Sequence, residues 1–157
     1  MASVTMVALL LDAADKLIDE RPRSSAFKRR AVSTAYYAVF HALAKLCADF
    51  LLRSSERETE EYTRVYRALE HGSLKTAFEK EPLRGRTSLR NIGDLVVMLQ
   101  SERNRADYLP PVKNLFSQRE AKMLVDQARQ AVSAIEGLDA TDRRTLSICL
   151  LFRARPQ

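Results

Sequence analysis

Between Ser25 and Arg53 the chain carries neither glycine nor proline, and Ala, Leu and Lys recur throughout, so nothing in it opposes one long helix. Phe27, Val32, Ala35, Val39, Leu43, Leu46 and Phe50 step by three to five positions, which follows one helical face. Tyr36, Ala38, Phe40, Ala42 and Leu51 carry apolar character well beyond that face. A helix that is apolar on most sides must be buried by several neighbours, so this stretch is expected at the centre of a helical assembly. A second stripe, Arg30, Ser33, Tyr37, His41 and Lys45, lies along one edge at spacings of three and four. A core helix with such an edge has a second surface to serve.

The remaining composition agrees with an all-α chain. Four glycines and five prolines in 157 residues leave few turns, and β-branched runs are scarce. That length suits one domain with a sizeable core, taken here as residues 1–152, with a basic tail over 153–157. The net charge of +6 makes a polyanion a plausible partner, against the plainer reading of solubility alone. Cys47 and Cys149 are the only cysteines and have no metal-site spacing, so free thiols in a reducing, cytoplasmic setting are expected. The apolar run at Val7–Leu11 is short and broken by Asp12, which excludes a signal peptide or membrane span there. No glycine-rich phosphate loop, nucleophile elbow, cysteine pair or repeated Glu-x-x-His occurs. No cofactor or metal is therefore expected.

Taken in order, a first helix is expected over residues 3–19 with Ser3 as its cap, and Pro22 breaks the chain in the polar connection RPRSS that follows. Ser24 or Ser25 caps the central helix. Five basic residues and no acid lie between Arg21 and Arg30, which opposes the helix dipole and suggests either a solvated start or contact with a phosphate. A third helix is expected from about Glu58 to His71, stopped by Gly72 in the left-handed conformation, with a short piece from Ser73 to Pro82. Ser88 is expected to cap the next helix, which stops near Tyr108 because Pro110 and Pro111 follow. Ser117 and Glu120 form a capping box for another helix ended by Gly137, and a last one spans about Asp139–Phe152.

The chemistry concentrates where the fourth long pattern ends, in SERNRADYLP. Arg103 continues the core stripe Ile92–Val96–Leu99, and a cation so placed needs a partner; Asp107, one turn on, is the local candidate. Asn104 and Tyr108 share the adjacent edge. One helix end thus presents an arginine, an amide, a carboxylate and a phenol. The competing account is an intrahelical Arg103–Asp107 pair with Tyr108 stapling the turn before the prolines. His41 has a similar alternative as a hydrogen-bonded bundle histidine, and His71 as a helix C-terminal cap.

The AYYAVFHA string preceded by Arg29 and Arg30, the later RNRADY helix end, and LEHGSLKTAF between them resemble the HEPN superfamily. The match is best to its small stand-alone members with an Arg…Ala-Asp-Tyr motif. The resemblance implies an up-and-down bundle of about five or six helices that forms a homodimer and binds RNA. Many such proteins are metal-independent endoribonucleases, and many are toxins held by a minimal nucleotidyltransferase antitoxin. On this reading Arg103, Asn104, Asp107, Tyr108 and His41 are the catalytic candidates, and Arg29, Arg30, Tyr37 and Arg105 contact RNA. Arg103 and Asn104 match the nuclease motif, but Tyr108 stands where those members carry histidine. A phenol with a reference pKa of ~10 is a poor base at neutral pH. Proton transfer would then fall to His41, Tyr37 or His71. The alternative is a non-catalytic module for dimerisation or for holding a nucleotidyltransferase. The resemblance also implies, for the toxins, that the partner nucleotidyltransferase silences them by modifying a tyrosine near the motif, here Tyr108.

Overall fold

The computed structural model describes residues 5–156. Among them are seven α-helices and no strand: α1 (Met6–Glu20), α2 (Ser25–Leu51), α3 (Glu60–Tyr66), α4 (His71–Phe78), α5 (Thr87–Tyr108), α6 (Gln118–Glu136) and α7 (Ala140–Leu151). A single 3₁₀ turn, Ser54–Glu56, joins α2 to α3. The all-helical class follows the sequence reading. Seven helices replace the expected five or six, because the short piece after residue 70 stands as a helix of its own.

α2 lies at the centre, packed against α1, α3, α5, α6 and α7. Ala31, Val32, Ala35, Tyr36, Ala38, Val39, Leu43, Ala44, Cys47 and Ala48 are buried around its circumference, as its all-round apolar character requires. Small residues on several faces let the neighbours approach closely. One hydrophobic cluster runs from Val7 on α1 to Leu150 on α7 and takes in Ile92, Val96 and Leu99 of α5. No described helix is long and apolar enough to cross a membrane. Cys47 is buried, with its thiol pushed up to about 12 by that burial, while Cys149 is partly exposed; neither forms a disulfide.

Several helix ends differ from expectation. Ser3 lies outside the described residues; α1 begins at Met6, where the Thr5 hydroxyl accepts from the Ala8 N–H. Gly72 is not a left-handed stop, since no described glycine has a positive φ. The break falls earlier instead: α3 ends at Tyr66, Leu69 enters the core, and α4 starts at His71 with Gly72 inside it. α5 starts one residue ahead of Ser88, with Arg86 at the cap position. The Ser88 hydroxyl donates to Asp142 on α7. The Ser117–Glu120 capping box is present, each side chain accepting from the other's backbone N–H, and Gly137 ends α6.

Candidate functional site

Arg103 stands near the C-terminal end of α5 and turns toward α2. Its side chain is only 11% exposed. Nη2 donates to the Tyr37 hydroxyl at 2.7 Å and Nη1 to Asn104 Oδ1 at 3.0 Å. Nε lies 3.1 Å from Asp107 Oδ2, close enough for an ion pair. The N–H is not aimed for a hydrogen bond, however, so one buried donor of the guanidinium stays open. The Tyr36, Tyr37 and Tyr108 rings surround the cation at 5.4, 5.3 and 5.8 Å from their centroids. Burial disfavours the charged form, but Tyr37, Asp107 and Tyr108 outweigh it and hold the guanidinium charged. Tyr36 is fully buried, and that burial pushes its phenol well above the usual range.

The third wall of this cluster comes from α4. His71 Nδ1 is 2.8 Å from the Tyr36 hydroxyl, and its ring stacks on Phe40 at 3.7 Å. The Tyr37 ring meets it edge-on at 5.7 Å. Gln100 Nε2, one turn before Arg103 on α5, donates to the His71 carbonyl at 2.7 Å. His71 and Arg103 therefore share the same two tyrosines. Burial, the Arg103 charge and His41 all push the His71 imidazole below its ordinary pKa. His71 is not a cap at the end of α3 but the first residue of α4.

Among the residues expected at the site, Arg103, Asn104, Asp107, Tyr108 and Tyr37 come together. The others are placed elsewhere. His41 is hydrogen-bonded through Nδ1 to the Tyr66 hydroxyl, edge-on to Phe40, and burial lowers its pKa. Arg105 pairs with Glu102 at 2.7 Å and covers the Phe116 ring. Arg29 spends its guanidinium on the end of α5: Nε donates to the Ala106 carbonyl at 2.6 Å, and the other nitrogens donate to the Leu109 and Pro110 carbonyls. Arg30 is exposed and forms no ion pair with the described residues. It lines a groove of 620 Å³ with Arg29, Asp107 and Lys113, between the start of α2 and the Pro110–Pro111 segment.

Tyr36, Phe40 and Gln100 join the site without having been among the sequence candidates, and His71, named there only as one of three possible proton carriers, proves to be part of it. Tyr36 and Phe40 carried a signal, being one turn apart on the central helix, but it is the same signal as core packing. For His71 the sequence offered only the LEHGSLKTAF resemblance and not its contacts, since its partners lie 29 and 35 positions away. Among the described residues no three His, Cys, Asp or Glu side chains gather as a metal site. Comparison with family models, with curated proteins and with solved structures finds no match.

Proposed function

We propose that this chain is a HEPN-type RNA-binding protein that acts as a homodimer and cleaves RNA without a metal, as a toxin held by a small nucleotidyltransferase partner. The observation that carries the reading is the Arg103 guanidinium, held charged and almost buried against the tyrosines of α2, with its Nε–H left open. The two stretches that resemble the family, AYYAVFHA and RNRADY, meet through the Tyr37–Arg103 hydrogen bond. A preorganised cation of this kind stabilises charge that develops on a phosphate while a 2′-hydroxyl attacks it. Asn104 and Asp107 set the orientation of the guanidinium. The unpaired charge of Arg30 and Lys113 along the adjoining groove favours the flanking phosphates of a single strand. Two copies related by a two-fold axis would bring two such helix ends to one phosphate.

One observation favours the non-catalytic module instead. Tyr108, at the position of the motif histidine, is 74% exposed, and its hydroxyl makes no hydrogen bond to the described residues. The two readings separate in one assay. RNA is incubated with chelator and either wild type or Arg103→Ala, with the fold of each checked by circular dichroism. The ribonuclease reading expects chelator-resistant cleavage that falls roughly 10²–10³-fold in the variant, the range for loss of one charge-stabilising donor. Equal background from both proteins refutes it. Binding that weakens steeply with salt, without cleavage, leaves the RNA-binding module.

A further inference from the structure

We propose that His71 is the general base of this site and that Tyr36 holds its imidazole in the reactive tautomer; this rests on the ribonuclease reading above. The ring is fixed on every side that matters. Tyr36 holds Nδ1, Phe40 stacks on one face at 3.7 Å with an interplanar angle of 22°, and Tyr37 closes the edge at 90°. The backbone is tied to α5 by Gln100. Nε2 alone makes no hydrogen bond to the described residues and, unlike Arg103 Nε, is not sealed from solvent. With Nδ1–H donating to the Tyr36 oxygen, the Nε2 lone pair is free to take a proton, and the Arg103 guanidinium that would hold the phosphate shares the Tyr36 and Tyr37 rings with this imidazole. Tyr108 is thereby relieved of a task that a phenol performs poorly at neutral pH.

The step balances without any further reagent than water. Nε2 takes the proton of the 2′-hydroxyl as that oxygen forms a bond to the adjacent phosphorus. The P–O5′ bond breaks, and the 5′ oxygen leaves with its electron pair and takes a proton from water. The imidazolium returns its proton to the hydroxide so formed. Cyclic 2′,3′-phosphate and 5′-hydroxyl ends result, and DNA, lacking the 2′-hydroxyl, is bound but not cut. The groups that face His71 are Tyr36, Tyr37 and, past Phe40, His41 from α2, and Arg103 from α5. Tyr66 lies beyond His41 on α3, and Glu70, paired with Arg153, precedes His71 in the chain. Burial, Arg103 and His41 keep the imidazole neutral, as a base must be, down to a pH below its ordinary value of 6.5.

The test compares wild type, His71→Gln and Tyr36→Phe for chelator-resistant RNA cleavage across pH, with RNA affinity and circular dichroism measured for each. His71→Gln is expected to bind RNA as wild type does and to cleave roughly 10²–10⁴-fold more slowly, without the acid limb of the wild-type profile. Tyr36→Phe keeps the buried ring and loses the acceptor for Nδ1–H. Its acid limb moves to lower pH and its rate falls about tenfold, a shift that a purely structural role would not produce. Wild-type rate and an unchanged acid limb in His71→Gln overturn the assignment while leaving an Arg103-dependent ribonuclease standing. Absence of any Arg103-dependent cleavage overturns both. Nitrogen NMR of the imidazoles gives a readout apart from cleavage: the His71 Nδ1–H tautomer is expected, and a resting Nε2–H tautomer rejects the base assignment.

Discussion

Replacement of Arg29 by methionine tests how the end of α5 is held in place. In a continuing helix the Ala106 carbonyl would accept from the N–H of residue 110, but that residue is proline and has none. The Asp107 carbonyl loses its partner to Pro111 in the same way. Arg29 meets this need with a side chain from α2, donating to the Ala106, Leu109 and Pro110 carbonyls at the negative end of the α5 dipole. Ala106 is 4% exposed, so its carbonyl has little access to water as a replacement. The two other carbonyls are on the solvent side and can turn to water at small cost. Loss of the one buried, charge-assisted bond should therefore dominate, at about 2 kcal/mol, and methionine retains much of the packing of the stem. For a chain of this size that corresponds to a fall in Tm of about 4–8 °C. Urea unfolding and calorimetry measure it, with Arg30→Met as the control, because Arg30 is exposed and unpaired and should shift stability by less than about 0.5 kcal/mol. Arg29→Lys should recover little, since its terminal ammonium does not reproduce the Nε–H partway along the side chain that reaches the Ala106 carbonyl. Equal stability of Arg29→Met and Arg30→Met would refute this account.

Gly93→Ala places a Cβ 2.7–3.0 Å from Cδ1, Cγ and Cβ of Phe78, so α4 must move off α5. Overpacking of about 1–3 kcal/mol should outweigh the helix-propensity gain of about 1 kcal/mol, leaving a net loss in urea melts. His71 shares α4 with Phe78, so its NMR signals should shift in the same variant. At acid pH, the carboxyl of Asp49 is the group to watch. Burial raises its pKa, but Arg57, Tyr62 and Lys45 more than offset this and hold it below its ordinary 3.8. Its contribution is complete above 3.8 and is lost as pH falls through the lower folded value. A plot of stability against pH should accordingly drop below about 4, and Asp49→Asn should flatten that drop; an unchanged acid limb in the variant would remove Asp49 as its source.

Helix positions were legible wherever the signal is local. The Ser117–Glu120 box and the proline pair after Tyr108 each act within a turn of the residues that show them. The break near residue 70 was misplaced because Gly72 is compatible with a left-handed stop and with a helical first turn, and the burial of Leu69 decides between them. The basic start of α2 allows two readings from sequence, a solvated helix start or contact with a phosphate. Arg29, however, answers carbonyls that Pro110 and Pro111 orphan 77 and more positions later, a demand that no local pattern reveals.

The same division runs through the site. The amino-acid order alone established an all-helical chain around one buried helix, and it placed Arg103, Asn104, Asp107 and Tyr108 on neighbouring edges of one helix end. That follows from a period of 3.6 residues and needs no partner. Only the tertiary structure decided which histidine accompanies the arginine. His41 shares α2 with Tyr37, yet it turns to Tyr66; His71 arrives from another helix and settles on Tyr36 and Phe40. The packing of α3 and α4 against α2 makes that choice, because contacts between helices depend on where each one starts and stops.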